Sequence, residues 1–163
     1  MMTATIIHYE PASRTRGLSA GGIGALFLLA QKVGLIDEID HKLHLLKRHL
    51  PYHESDHVLN IAFNLLAGGL CIEHLELRRN DEVYLDALGA QRIPDPTTAG
   101  DFCRRFAEAD VLTLMGAINE ARLRVWAQQP AEFFAAAILE ADGSIVPSDA
   151  ECKRDMDFTY DGR

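Results

Sequence analysis

Hydrophobic side chains recur every three or four residues between positions 17 and 130, which is the spacing of the buried face of an α-helix. A first helix is predicted over Ser19 to Val33, where a glycine interrupts the pattern. The same period continues from Leu35 to Leu50, and the proline that follows ends it because its ring cannot continue the helical hydrogen bonds. A third helix is predicted to begin with Ser55 as its cap and to stop at Gly68 and Gly69.

The pattern between residues 72 and 130 also predicts helices. One or two short helices are expected from Ile72 to Leu88, followed by a proline-containing loop at residues 91–96. Thr98, with Asp101 three residues later, resembles a capping box that opens the next helix. Asp110 is predicted to cap a longer helix that runs to Gln129. Residues 17–130 are therefore predicted to form an all-helical domain, preceded by an extended lead-in at residues 1–16.

The pattern changes after Pro130. Phe133 to Leu139 is a continuous apolar run, as expected of a strand covered on both faces. Asp142-Gly143 is a turn dipeptide between apolar flanks. Short strands are predicted to follow at residues 145–147 and 156–160. Residues 131–163 are therefore predicted to begin a second domain that contains two or three β-strands.

The charge of the chain limits the kinds of partner. The formal net charge is −8, which argues against a general electrostatic attraction to nucleic acid. The basic residues occur in short clusters that are able to form only a local patch: Arg14 and Arg16, Lys47-Arg48, Arg78-Arg79, Arg104-Arg105, Arg122 and Arg124, and Lys153-Arg154.

The cysteines and the apolar segments indicate the compartment. Cys71, Cys103 and Cys152 are odd in number and form no C-x-x-C pair, so neither a disulfide framework nor a thiolate zinc site is indicated. We expect a reducing, cytoplasmic environment. The apolar run from Leu18 to Ala30 is too short to span a bilayer, so no membrane association is predicted.

His53-Glu-Ser-Asp-His57 matches the H-E-x-x-H pattern of zinc proteases. That chemistry needs both histidines on one helix face, with the Glu as base and a third ligand. A helix start at Ser55 would point the two histidines in different directions, so the segment is interpreted as a polar loop. The wider histidine set is interpreted as solvated or partly paired rather than metal-binding: His41, His44, His49, His53 and His57.

Arg104-Arg105 has two interpretations. Together with free N–H groups at the start of the helix introduced by Thr97-Thr98, the arginines would contact the DNA backbone. Alternatively, they lie on a solvated face while Phe102 and Phe106 turn inwards, and the sequence alone favours this second reading.

Glu140-Ala-Asp142-Gly-Ser144 has three interpretations. In the first interpretation, Asp142-Gly143 is simply a hairpin turn. In the second, the segment is a haloacid dehalogenase-like phosphohydrolase motif, but Glu140 stands where that motif has its nucleophilic Asp, and an extra methylene misplaces the attacking oxygen. The third is an acid of a DDE transposase.

Three segments in order along the chain resemble bacterial insertion-sequence transposases of the DDE class. They are Thr97-Thr-Ala-Gly-Asp-Phe-Cys-Arg-Arg-Phe106, then Ile138-Leu-Glu-Ala-Asp-Gly-Ser-Ile-Val-Pro147, then Glu151-Cys-Lys-Arg-Asp-Met-Asp157 leading to Tyr160-Asp-Gly162. The segment from Gly17 to Ile39 resembles the opening helices of the same enzymes. The resemblance covers nearly the whole chain but only the N-terminal portion of such an enzyme.

The resemblance implies a mechanism. Such enzymes hold two Mg²⁺ ions with three acids on an RNase H-like sheet, and the metals activate the attacking oxygen and stabilise the leaving one. By similarity, Asp142 is the first of these acids and a metal ligand. Glu140 departs from the Asp that relatives often have, whereas Ser144 stands where a small hydroxyl residue is usual.

The implied fold is mainly α, with a multi-helix N-terminal domain followed by the first two or three strands of an incomplete RNase H-like α/β domain. No motif here matches the second and third acids, so we expect the chain to be inactive by itself. The implied partners are transposon-end DNA and another transposase chain, in a homodimer or with the full-length enzyme. The alternative is a small helical DNA-binding or regulatory module that competes with the full-length enzyme.

Overall fold

The computed structural model describes residues 17–141, and every regular element in that part of the chain is helical. The chain divides into two compact units, one ending at Gln129 and one beginning at Pro130. The first unit contains seven α-helices and one 3₁₀ turn among its described residues: α1 Ile23–Lys32, α2 Leu35–Lys42, α3 Glu54–Leu66, the turn Ile72–His74, α4 Leu75–Arg79, α5 Glu82–Leu88, α6 Pro96–Cys103 and α7 Glu108–Trp126. The mainly α fold class is confirmed for these residues.

The break between α1 and α2 lies where the sequence predicted it. Gly34 adopts a left-handed conformation with φ of 70°, which a residue without a Cβ reaches at no steric cost. α2 then begins at once, and it packs against α1 and, more extensively, against α7.

The prediction that α2 continues to Leu50 is wrong. α2 ends at Lys42, and Leu43 turns into an extended conformation while staying buried. The backbone N–H groups of Leu45 and Leu46 donate to the carboxylate of Glu54 instead of to helical carbonyls. The apolar spacing therefore persists into a loop, residues 43–53, whose amides have a side-chain acceptor.

The caps of three helices differ from the predictions by two or three residues. His53, not Ser55, occupies the cap position of α3, and its N–H donates to Asp56. Asp95, not Thr98, caps α6, because its carboxylate accepts from both the N–H and the hydroxyl of Thr98. Asp110 lies inside α7 and accepts from the N–H of Ala107, which is the cap residue.

The remaining helix boundaries follow the predicted signals. α3 stops before Gly68, whose φ is 83°, and α5 stops at Gly89, whose φ is 64°. Asp81 opens α5 by accepting from the N–H groups of Val83 and Tyr84. The predicted short helices between residues 72 and 88 are α4 and α5 with the preceding 3₁₀ turn.

The first unit has two hydrophobic clusters. One joins α1, α3 and α5 and contains Ile23, Ala30, Leu59, Phe63, Tyr84 and Ile93. The other joins α2, α6 and α7 and contains Ile39, Leu43, Phe102 and Ala117. The second cluster lies beside the loop at residues 43–53, so this loop is supported from the core side.

The predicted strand at Phe133 to Leu139 is wrong for the part of the chain that the structure describes. Ala131–Phe134 forms a 3₁₀ turn and residues 136–141 have no regular structure. Ile138 and Leu139 are almost fully exposed, so neither face of this run is covered. A strand needs a partner to satisfy its backbone groups, and none of the described residues supplies one. The predicted lead-in, the Asp142-Gly143 turn and the two later strands lie outside the described residues.

Candidate nucleic-acid interface

Asp142, the residue predicted as catalytic acid and metal ligand, lies just beyond the last described residue, Ala141. Its role therefore stays a prediction. Glu140 is exposed in the irregular segment that precedes it.

Arg104 and Arg105 lie at the opposite end of α6 from the one predicted to bind phosphate. α6 starts at Pro96 under the cap of Asp95 and ends at Cys103, so both arginines follow its C-terminus. Eight residues of helix separate them from the free N–H groups by about 12 Å. The expectation that the start of this helix assists the two arginines is therefore wrong, and any anion contact must come from their side chains.

Arg105 joins two basic segments that are distant in sequence. Its Nη1 donates to the carbonyl oxygen of Leu45 at 3.3 Å, which attaches it to the loop at residues 43–53. Lys47 and Arg48 are exposed in the same loop, two and three residues beyond that contact. We call Lys47, Arg48, Arg104 and Arg105 the basic junction. Arg104 is exposed and is the only member with a described ion pair, 2.5 Å from Asp101.

Glu54 fixes the loop that carries Lys47 and Arg48. Its carboxylate is fully buried and accepts from the N–H groups of Leu45 at 3.0 Å and Leu46 at 2.9 Å. Its second oxygen lies 3.1 Å from Nδ1 of His49. A buried carboxylate is tolerated only when it is hydrogen-bonded. A different loop conformation would break these three contacts and leave the carboxylate unpaired, so they hold the loop in one conformation.

A second carboxylate ties the end of α2 to the start of α3. Asp40 accepts from the N–H of Ser55 at 2.8 Å and from its hydroxyl at 2.9 Å. Ser55 is buried, so this contact satisfies an amide at the start of α3 that has no partner within the helix. Asp40 on α2 thus holds the start of α3, and Glu54 on α3 holds the loop backbone that follows α2.

The residues of the H-E-x-x-H match point in different directions, as the helix-start interpretation requires. The ring of His53 stacks on His49 with centroids 5.4 Å apart, whereas the ring of His57 stacks on Phe102 with centroids 4.5 Å apart. Glu54 is engaged with backbone amides. Within residues 17–141, no group of three or more His, Cys, Asp or Glu side chains is arranged to hold a metal ion.

The electrostatics agree with these roles. Burial raises the pKa of Glu54. Hydrogen bonds from the backbone of Leu46, of Glu54 itself and of Leu45 together lower the pKa by more than burial raises it, so it lies below the usual value. Burial lowers the pKa of His57 and outweighs the opposing effects of the Asp56 and Glu54 charges, and the charge of Arg105 adds the smallest effect, in the same direction as burial. At neutral pH the loop anchor is therefore ionised and the buried imidazole is neutral.

A cavity of about 340 Å³ adjoins this region, with Tyr52, Ser55 and Arg92 among its lining residues. The guanidinium of Arg92 lies 5.9 Å from the centre of the Tyr52 ring. The cavity brings a further cation and an aromatic face close to the loop, two features that suit contact with nucleotides.

The contact of Arg105 with Leu45, two residues before Lys47, was not predicted from the sequence. Each pair was visible as a basic cluster, but 57 residues separate Lys47 from Arg104. The only local hint in the sequence was Glu54, an acid that follows a polar stretch. Whether Glu54 anchors the loop depends on where α2 lies, and the sequence alone does not give that position.

No protein-family model matches this chain, and neither a curated protein nor a solved structure shows significant similarity to it. None of the helices within residues 17–141 is long and apolar enough to cross a membrane.

Proposed function

We propose that this chain corresponds to the amino-terminal portion of a DDE transposase of the bacterial insertion-sequence type, and that its helical unit contacts the DNA backbone through the basic junction. The ordered motifs at residues 97–106, 138–147 and 151–162 support the family. The contact of Arg105 with the carbonyl oxygen of Leu45 carries the assignment of the DNA-contacting surface.

The net charge of −8 means that DNA binding must be local. Interactions between exposed charges fade beyond about 8–10 Å at physiological salt. The four cations of the basic junction lie on one loop and on the helix end that contacts it, and arginine is suited to hold a phosphate through two parallel hydrogen bonds.

The anchoring by Glu54 favours the same assignment. A long basic side chain loses conformational entropy when it binds a phosphate, and a mobile loop would add a further ordering cost. Because two backbone amides and His49 hold the loop to one buried carboxylate, the backbone beneath Lys47 and Arg48 is already ordered before DNA arrives.

Asp142 would be the first of three carboxylates that bind Mg²⁺ in such an enzyme. Oxygen ligands suit this cation, and a two-metal reaction needs further acids besides Asp142. The strand ahead of Asp142, and with it the start of an RNase H-like sheet, would form only when other strands pair with residues 133–139. We expect this chain alone to bind DNA without cutting it.

The test is fluorescence anisotropy of the full chain with a labelled transposon-end duplex over a range of salt concentrations. Four phosphate contacts predict a slope of log K against log [salt] of about −3.6. Lys47→Ala/Arg48→Ala should weaken binding and reduce the magnitude of that slope by about 1.8, because two contacts are lost.

The matched control is Lys32→Ala/Arg79→Ala, which removes the same charge from α1 and α4, outside the four residues of the basic junction. It should leave the slope unchanged. Equal effects of the two double variants, or no binding at low salt, would contradict the assignment of the basic junction. Efficient Mg²⁺-dependent cleavage by this chain would contradict the proposed need for further acids.

A further inference from the structure

α7 carries most of its large apolar side chains on the side that faces solvent. Met115 and Leu112 are each 61% exposed, whereas Ala117 is fully buried and Ala121 nearly so. A surface helix normally turns its larger apolar residues towards the core. Here the buried residues are small, Leu114 packs partly against the second cluster, and most of the other large apolar residues point outwards, a distribution that is typical of an interaction surface.

The outward side chains of α7 follow a regular spacing. Glu108, Val111, Met115, Ile118, Arg122 and Val125 alternate in steps of three and four residues. This is the seam of a coiled coil, in which positions three and four apart form one stripe along the helix. We call these six residues the α7 seam. All six are exposed.

The charges on the α7 seam are arranged symmetrically. Glu108 stands at one end and Arg122 near the other, with only apolar residues between them on the seam. They are 14 residues, or about 21 Å, apart along the helix. Such a stripe is complementary to itself when a second copy runs in the opposite direction, because each acid then approaches a base at both ends.

We propose that α7 binds α7 of a second copy of this chain in an antiparallel pair, with the two-fold axis between Met115 and Ile118. Met115 of each copy then packs against Ile118 of the other, as a two-fold interface requires. Glu108 of each copy lies within one helical turn of Arg122 of the other. A parallel pair would instead place like charges opposite each other. The pairing does not depend on DNA binding.

The local surface fits this partner. A depression lined by Met115, Gly116, Ile118, Asn119 and Arg122 lies at the middle of α7. No atom lies within 4 Å of the place where a side chain of Gly116 would begin. A side chain of the second copy therefore has room beside the helix backbone at the centre of the pair.

A lipid surface fits α7 less well than a second copy. Helices that lie on membranes carry mostly Lys and Arg beside their apolar face. α7 has three acids, Glu108, Asp110 and Glu120, against two arginines. One helix pair is a small interface, so we expect a dissociation constant in the micromolar range.

The test is sedimentation velocity of the full chain across a concentration series. We expect a shift from monomer to dimer with rising concentration, and at least a roughly 10-fold weaker association for Met115→Glu. Leu77→Glu is the matched control because Leu77, on α4, is 62% exposed, about as much as Met115. Circular dichroism of each variant checks that the helices are retained.

Charge reversal tests the direction of the pair. Glu108→Arg and Arg122→Glu should each weaken the dimer, and the double variant should restore it, because both contacts re-form with reversed sign. A monomer at every concentration, or dimers equally weakened by Leu77→Glu, would overturn the proposal. Failure of the double variant to restore association would overturn the antiparallel arrangement.

Discussion

Two regions depart from the usual distribution of polar and apolar groups. The loop at residues 43–53 has a buried charge beneath it, and the outer side of α7 exposes apolar side chains. At the loop, a fully buried carboxylate, Glu54, organises backbone amides and a histidine. On α7, Met115 and its neighbours are apolar and exposed. The first arrangement is complete within the chain because every oxygen of Glu54 has a donor. The second is completed only by another molecule. We therefore expect the loop to govern the stability of the fold and α7 to govern association.

The largest expected effect is at the loop. Glu54→Ala leaves the amides of Leu45 and Leu46 without their acceptor, and we expect the free energy of unfolding to fall by about 3 kcal/mol. Urea denaturation at pH 7 measures this value. The control Glu82→Ala removes an exposed carboxylate at the first residue of α5 and should cost a few tenths of a kcal/mol. A similar loss in both variants would break the distinction.

The pH dependence of that effect follows from the lowered pKa of Glu54. A group whose folded pKa lies below its unfolded value contributes stability above the unfolded pKa, and this contribution is lost as the pH falls through the folded pKa. The stabilities of the native chain and of Glu54→Ala should therefore converge as the pH falls below about 4.5. A constant difference down to pH 3 would contradict the role of the ionised carboxylate.

A smaller effect is expected at His57, which stacks on Phe102 and whose buried Nδ1 has no hydrogen-bond partner among the described residues. Its pKa is lowered, so the native chain should lose stability as the pH falls through 6.5. His57→Phe keeps the stacking and removes the titration. We expect it to be more stable by about 1 kcal/mol at pH 7, with a larger difference at pH 5.5.

The measurement for His57→Phe is thermal or urea unfolding of both proteins between pH 5.5 and 8. Curves that run parallel across this range would show that the imidazole titrates equally in the folded and unfolded chains. They would thereby exclude His57 as a source of pH-dependent stability in this range.

The smallest effect is expected on α7. Met115→Gln replaces an exposed apolar side chain by a polar one of similar length, and both residues favour helix. Measured at concentrations well below the dissociation constant of the pair, the free energy of unfolding should change by less than about 0.5 kcal/mol. A loss comparable to that of Glu54→Ala would mean that Met115 supports the fold of the single chain, and the contrast between the two regions would fail.

The spacing of apolar residues together with Gly34, Gly68 and Gly89 predicted nearly all of the helical unit. These signals are local, because a helix closes its hydrogen bonds within four residues and glycine permits a left-handed stop at one position. The predictions of the cap positions were less accurate. Ser55, Thr98 and Asp110 are all residue types that commonly cap helices, but none of them occupies the cap position. Which polar residue takes the cap position depends on competing neighbours, such as Asp40 for Ser55 and Asp95 for Thr98.

The sequence by itself thus determined which segments form helices, where most of them end, and the candidate acid and arginines. Only the tertiary structure decided that the apolar spacing beyond Lys42 belongs to a loop, because Glu54 accepts amides from residues eight and nine positions away. It alone brought Arg105 to Leu45, 60 residues distant, and turned the α7 seam outwards. Spacing reports that a side chain is apolar or charged, but the packing of other helices decides whether that side chain meets the core, a carbonyl group or solvent.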